Sequence, residues 1–332
     1  MRLDDPTFSA QSERFRPELR VHCYRMLGSL DDAEDLVQET YLRAWRSRTR
    51  FSDQGSGSLR AWLYRIATNA CLDALNRRPR RVLASQLGPP ADPTAPALPP
   101  ADLPWLGPFP DRLLEGIAPS DDEPEAVVVA RETIELAFLA AIQLLPPRQR
   151  AVLILRDVLG WSAKETAALL DTTVASVNSA SQRARGTLEE HLPSGRLEWA
   201  PAADTSADER AVLRRFMDAF ERSDLDGVAD LLREDVKGNM PPYPFWYEGR
   251  EANMTAMAVA FDSDSPEFLG AWRTLPTAAN LSPAAGFYVK RPGAPAFEAF
   301  ALDVLRIEDG KIAELTAFAP EVFPAFGLPP TL

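Results

Sequence analysis

Apolar residues recur at helical spacing through two stretches of this chain and at strand spacing through a third. Between Glu13 and Pro79 the pattern is helical, broken at Gly28 and by the Gly/Ser-rich stretch 55–58. Ala33, Leu36, Val37, Tyr41, Ala44 and Trp45 form one apolar stripe. Leu59, Trp62, Leu63, Ile66 and Ala70 form another, predicting a helix from Ser58 to Arg78. Gly160–Leu192 reads as two short helices joined by a tight turn. Ser162 and Glu165 make a capping box, Thr166, Ala167 and Leu170 share a face, and Asp171 suits the left-handed turn. Thr173 caps the second helix, whose buried stripe is Val177, Ala184 and Leu188.

Past Pro193–Thr205 the pattern changes. ADERAVLRRFMDAFERSD predicts a helix burying Val212, Leu213, Phe216, Met217 and Phe220, and LDGVADLLRED a shorter one. Strand-like segments follow at Phe245–Glu248, Thr274–Asn280, Phe287–Arg291, Phe297–Ile307 and Lys311–Ala319, with Asp309-Gly310 as a hairpin turn. Helices first and then a curled antiparallel sheet predict an α+β cone. The fold class is therefore multidomain: two all-α blocks, a helical bundle and a helix-turn-helix, followed by the cone.

Charge changes how these blocks are read. The net charge of −12 argues against a nucleic-acid partner, but residues 13–81 carry 14 basic and 9 acidic side chains, so the first block is locally cationic. Residues 82–126 hold 11 of the 30 prolines and carry 8 acidic groups against 1 basic, the composition of an extended linker. Residues 205–332 are again acidic, 20 groups against 12. The start, MRLDDPTFSAQSERF, is polar and no apolar run has transmembrane length, so a cytoplasmic protein without membrane contact is expected. Cys23 and Cys71 lack metal-ligand spacing and read as buried core thiols; neither metal nor cofactor is expected.

Two faces have the chemistry of DNA contact. The second helix of the helix-turn-helix turns Ser176, Asn178, Ser179, Gln182, Arg183 and Arg185 outward, the groups that read a major groove, although an ordinary hairpin with a solvated face fits the same pattern. In the first block, Arg60, Tyr64, Arg65, Asn69, Arg77 and Arg78 lie outward, beyond a loop with Phe51, Ser52, Asp53 and Gln54. Cations interleaved with aromatic rings suit single-stranded DNA. Asp31, Asp32, Asp35, Gln38 and Glu39 gather at the start of the preceding helix, where acidic groups also suit the helix dipole.

YRMLGSLDDAEDLVQETYLRAWR followed by LRAWLYRIATNACLDALNRRPR resembles the second conserved region of bacterial RNA polymerase sigma factors of the extracytoplasmic-function (ECF) group. Residues 131–192, with AIQLLPPRQRAVLILRDVLGWSAKETAALL, are similar to the fourth region of that family. The resemblance implies domains at 10–81 (region 2) and 127–193 (region 4), joined by the linker 82–126. It implies that Asp32, Glu34, Asp35, Leu36, Gln38 and Glu39 dock on the clamp of core RNA polymerase, and that its flap is a second contact. It implies that Phe51, Ser52, Asp53, Arg60, Trp62, Tyr64, Arg65, Asn69, Arg77 and Arg78 capture the −10 element, and that the helix-turn-helix reads the −35 element of promoter DNA. Where the family often has Lys, Arg and Leu, this helix has Asn178, Ala180 and Ser181, which lowers the phosphate contribution to binding. The connector would thread the polymerase channels, and WLGPFPDRLLEG (105–116) would dock as a short anchored element.

The helical start of the third block, PPYPFWYEGR and EAFALDVLRIEDGKIAELTAF resemble the SnoaL-like domain, related to ketosteroid isomerase, over 205–330. Such cones enclose a cavity, with Tyr243, Trp246, Tyr247, Trp272, Tyr288 and Asp303 as candidate lining for a small-molecule ligand. His22 and His191 lie outside this block, so no His-based chemistry is available within it and no catalytic residue is assigned. In a related subgroup such a tail regulates the sigma factor in cis. Two other readings remain: a helix-turn-helix regulator whose cone binds an effector, and an isomerase or cyclase fused to a DNA-binding module.

Overall fold

The computed structural model describes residues 5–48, 59–77, 79–96, 98–114, 134–191 and 205–332. The chain forms two compact units: Met1–Arg81 with Leu113–Pro201, and Val82–Arg112 with Ala202–Leu332. The 82–126 stretch, expected to be a linker with a docked element at 105–116, is divided between them.

In the first unit, α1 (Asp5–Glu13), α2 (Arg16–Leu27), α3 (Leu30–Ser47) and α4 (Leu59–Leu75) make the N-terminal bundle. Gly28 ends α2 in the left-handed region at φ 71°, and Ser29 caps α3 by accepting from the Asp32 amide. Helix α4 ends at Leu75, short of the expected Arg78 and four residues before Pro79. The second group is α5 (Leu136–Gln143), α6 (Pro147–Leu153) running into a π-turn at Ile154–Val158, α7 (Ala163–Leu169) and α8 (Val174–His191).

The two groups share one polar contact that no apolar stripe foretells. Arg150 on α6 is buried, and its guanidinium donates to the Met26 carbonyl (2.5 Å), Gln143 Oε1 (2.6 Å), the Gln143 carbonyl (2.9 Å) and the Leu145 carbonyl (3.2 Å). Gln143 in turn donates to the Arg25 carbonyl at 3.4 Å. The carbonyls at the C-terminal end of α2, left over by helix geometry, are thus satisfied from the other helical group. Burial pushes the Arg150 pKa down to about 10, still leaving it charged.

The second unit is built on a sheet of order β2-β1-β6-β5-β4-β3: β1 (Leu232–Asn239), β2 (Trp246–Glu248), β3 (Ala271–Ala279), β4 (Ser282–Lys290), β5 (Glu298–Glu308) and β6 (Lys311–Phe318). Only the β1–β6 pair is parallel. Helices α9 (Ala207–Glu221), α10 (Leu225–Ala229) and α11 (Arg250–Phe261) accompany it. The second predicted helix ends early: α10 stops at Ala229, and Leu232 onward is β1, in which Leu232 and Val236 both enter the core. Strand β1 and helix α11 were absent from the expected elements. The Asp309-Gly310 turn is present, with φ of 50° and 73°, a pair that keeps the twist of β5 and β6 continuous.

One face of the sheet packs on α9. Phe220 meets Phe287 at 4.7 Å and Trp272 at 4.9 Å between ring centroids, and Phe216 meets Phe287 at 5.9 Å. The other face is covered by the C-terminal segment with α12 (Phe323–Phe326): Tyr288 packs on Phe323 at 5.3 Å and donates to the Pro329 carbonyl at 2.9 Å. A Cβ at Gly286 would come within 2.7 Å of Leu328, so glycine is what lets this segment lie close.

Replacing Arg150 by Met strands the Met26 and Leu145 carbonyls. We expect a loss of about 2–4 kcal/mol in urea denaturation of the full chain, with Arg150→Lys intermediate. Acrylamide quenching of tryptophan should rise in the Met variant, since Trp161 lies in the same contact region; an unchanged midpoint would show the bonds to be dispensable.

Candidate functional site

The acidic start of α3 is only partly available. Asp35 and Gln38 are exposed, whereas Asp32 pairs with Arg81, Glu34 with Arg20, and Glu39 with Arg43 at 2.7 Å. Leu36 is half-buried, and Leu42, one turn after Gln38 and 51% exposed, adds an apolar group that the sequence reading passed over because it lies outside the buried stripe.

Arg65 and Asn69 on α4 and Arg77 just past its end are exposed as expected, and Trp62 is half-buried against Phe8 at 6.2 Å. Tyr64 is a correction. It is buried, not outward: its hydroxyl donates to Glu18 at 3.0 Å, and its ring lies 5.1 Å from His22 and 5.5 Å from Trp161. Arg60 is drawn into the same group, donating to Glu18 at 2.8 Å. A helix covered on two sides needs a wider buried face, and periodicity within α4 cannot show that the second cover comes from residue 161. His22 is held by Thr68 at 2.9 Å, and burial lowers its pKa to about 3, so it stays neutral. Phe51, Ser52, Asp53 and Arg78 lie outside the described residues.

The helix-turn-helix has the expected local chemistry. Ser162 and Glu165 exchange bonds of 3.2 and 2.8 Å, Asp171 has φ 49°, and Thr173 accepts from the Ser176 amide at 3.1 Å. Ser176, Asn178, Ser179, Gln182, Arg183 and Arg185 are all exposed on α8. Arg185 is not a free cation: Asp157 accepts from it at 3.0 and 2.7 Å. Arg183 donates to Ser179 at 2.5 Å.

In the C-terminal unit the site is built from the linker. Trp246 accepts at its carbonyl from Ala91 (2.8 Å) and donates through Nε1 to the Gly88 carbonyl (2.8 Å). Asn239 Oδ1 accepts from the Ser85 amide at 3.1 Å. Asn280, at the β3–β4 turn with φ 56°, accepts from the Phe109 amide at 2.8 Å and returns its own amide to the Phe109 carbonyl at 2.9 Å. Leu106 and Phe109 are fully buried. Trp246 thus holds the linker rather than lining the interior, and Tyr288 points to the opposite face, under the C-terminal segment. Tyr243 and Tyr247 flank Phe245, half-buried, at 5.6 and 5.5 Å. Of the expected lining, Trp272 and Asp303 face the interior.

Asp303 shares its face with Ala301 and Leu305 on β5 and lies opposite Ala285 and Ala317, all core residues. It is 6% exposed, and burial pushes its pKa from 3.8 up to about 7. Among the described residues no His, Cys, Asp and Glu cluster has the form of a metal site, and no helix is long and apolar enough to cross a membrane.

Residues 12–81 match sigma-70 region 2, residues 135–188 sigma-70 region 4, and residues 213–315 the SnoaL-like domain. The chain is 43% identical to the ECF RNA polymerase sigma factor SigG of Mycobacterium tuberculosis, over 98% of its own length and 85% of that protein. This chain belongs to the ECF RNA polymerase sigma factors. It is also 26% identical to the probable ECF sigma factor SigI of the same organism, over 95% of this chain and 93% of that one. The crystal structure of Mycobacterium tuberculosis SigJ shares the fold, with a TM-score of 0.59 at 22% identity, covering 97% of this chain and all of that one. The two helical groups are thus region 2 and region 4 of a transcription-initiation factor, followed by a SnoaL-like cone.

Asp303 makes stability depend on pH with a definite sign. The unfolded chain releases this proton near pH 3.8 and the folded one near pH 7, so stability falls as pH rises through that window. The loss is about 4 kcal/mol at 1.36 kcal/mol per unit. The difference between wild type and Asp303→Asn in urea denaturation should therefore change steadily from pH 4 to pH 7; a constant difference would contradict the burial argument.

Proposed function

We propose that this ECF sigma factor binds core RNA polymerase, recognises −35 and −10 elements and promotes melting, while its SnoaL-like domain regulates it in cis by holding the region 2–region 4 linker. The polymerase-facing surface is Asp35, Gln38 and their neighbours on α3, with Leu42 as an apolar addition. Arg65 and Asn69 on α4, with Arg77 just past its end, would meet the −10 strand. Ser176, Asn178, Ser179, Gln182 and Arg183 on α8 would read the −35 duplex, each good base contact being worth about 1–3 kcal/mol. We assign the protein no catalytic step of its own.

The observation that carries the regulatory reading is the double hydrogen bond between Asn280 and the backbone of Phe109. A connector so held is not available to thread a polymerase channel. Burial of Tyr64 against Trp161 supports the same reading, because a −10 contact needs that ring uncovered. A helix-turn-helix regulator working without polymerase would have no use for region 2, which matches over residues 12–81.

Run-off transcription with core polymerase on the protein's own upstream region tests both parts. A specific transcript is expected. Asn280→Gly, which keeps the turn and the backbone bond but removes the side-chain oxygen that accepts from Phe109, and Phe109→Asp should each raise its yield several-fold. Absence of a transcript across a promoter panel would reject the sigma assignment for this residue set. Unchanged yield, with proteolysis showing the linker released, would reject regulation through the linker.

A further inference from the structure

We propose that Cys23 and Cys71 are a redox site. A hydroperoxide converts them to a disulfide joining α2 to α4 when region 4 parts from region 2, and a thiol reductant restores them. The site lies wholly in the first unit and does not depend on how the linker is held.

The register of α2 and α4 brings the two thiols together. Tyr64 donates to Glu18 at 3.0 Å, and His22 Nε2 is hydrogen-bonded to Thr68 Oγ1 at 2.9 Å, each pair 46 positions apart. The two helices therefore run side by side in the same direction. Just past His22 and Thr68 this alignment brings Cys23 to Cys71, and their side chains share a hydrogen bond. Both are fully buried, and both are free thiols. They are the chain's only two cysteines, and each comes from a different helix. A disulfide cannot close between side chains that point apart; these point at each other.

Region 4 covers one side of the pair. Helix α6 packs against both α2 and α4, and its Arg150 is near enough for its charge to act on Cys71. Burial, and after it the bond with Cys23, pushes the Cys71 thiol well above its usual range; the Arg150 charge opposes this and is the weakest of these influences. The thiolate is the nucleophile in thiol oxidation, so a thiol kept protonated and away from solvent is inert. Departure of α6 admits water to that side and relieves the burial. The pair is thus silent in the closed unit and reactive in the open one.

The reaction balances within the pair and the oxidant. One thiolate attacks the O–O bond, becomes a sulfenic acid and releases water or an alcohol. The second thiol attacks that sulfur, forming the S–S bond and expelling its oxygen as water. Two thiol hydrogens and two electrons pass to the peroxide. Contact between the thiols favours this closure over further oxidation of one sulfur.

The test is hydrogen peroxide treatment of the full chain, read by intact mass and by thiol titration after denaturation. Wild type should lose both thiols together, its mass falling by two hydrogen atoms, and dithiothreitol should reverse the change. Peptide mapping without reductant should find the Cys23 and Cys71 peptides joined. Neither Cys23→Ser nor Cys71→Ser should show the fall in mass. Arg150→Met, which loosens the cover, should oxidise at least fivefold faster than wild type. In wild type alone, so that no variant need fold, the rate should rise at least tenfold in urea too dilute to lower the far-UV circular dichroism. Retention of both thiols, gain of oxygen in place of loss of hydrogen, or linkage between chains would each overturn the proposal. So would equal rates in wild type and Arg150→Met, or a rate that climbs only as the helical signal is lost. None of these readouts is transcription, so the redox site and the linker mechanism fail independently.

Discussion

The buried guanidinium of Arg150 is the constraint on which the first unit depends. It has no carboxylate partner; its charge is met by carbonyls of Met26, Gln143 and Leu145 and by the Gln143 amide oxygen. Its Nε has no partner, and of its bonds the one to Met26, with the Gln143–Arg25 bond beside it, joins region 4 to region 2. Their union has a functional corollary. Trp161 of region 4 covers Tyr64, Arg60 is engaged within region 2 by Glu18, and Arg65, Asn69 and Arg77 stay on the surface. The helix of region 2 proposed to face the promoter is thereby present but only partly displayed.

The C-terminal unit solves a different problem. Its sheet has apolar side chains on both faces, and one helix layer can cover only one. The second face is closed by the chain's own ends: the C-terminal segment lies over Tyr288 and Gly286, and the linker is fixed at Trp246 and Asn280. The SnoaL-like domain is in this sense completed by a piece of the sigma factor, which is why linker and domain share one compact unit. The proposed regulation in cis would then require no added binding event, only a shift between a held and a released connector.

Local chemistry was legible in the sequence wherever it is short-range. The capping box at Ser162 and Glu165, the left-handed Asp171, the Asp309-Gly310 hairpin and the exposed face of α8 are fixed by residues within one or two turns of each other. What could not be read was the long-range part. Tyr64 looks outward until Trp161 covers it. Trp246 looks like cavity lining until Gly88 accepts its indole proton. In 82–126 the apolar residues of 105–116, Leu106 and Phe109 among them, mark a docked element, but the Pro-rich composition hides that Ser85, Gly88 and Ala91 are held as well. Strand β1 was hidden inside what scans as the end of a helix, since LLRED alternates too briefly to declare a period of two.

The captured linker also sets a length. Val82–Arg112, if released and fully extended, would reach roughly 100 Å, whereas held along the domain its ends are fixed by the folds at Val82 and Arg112. Under the proposed regulation, the SnoaL-like domain would act as a spool for the connector: the chain it let go would set how far the two DNA-reading regions could separate, and with that how wide a promoter they could span together.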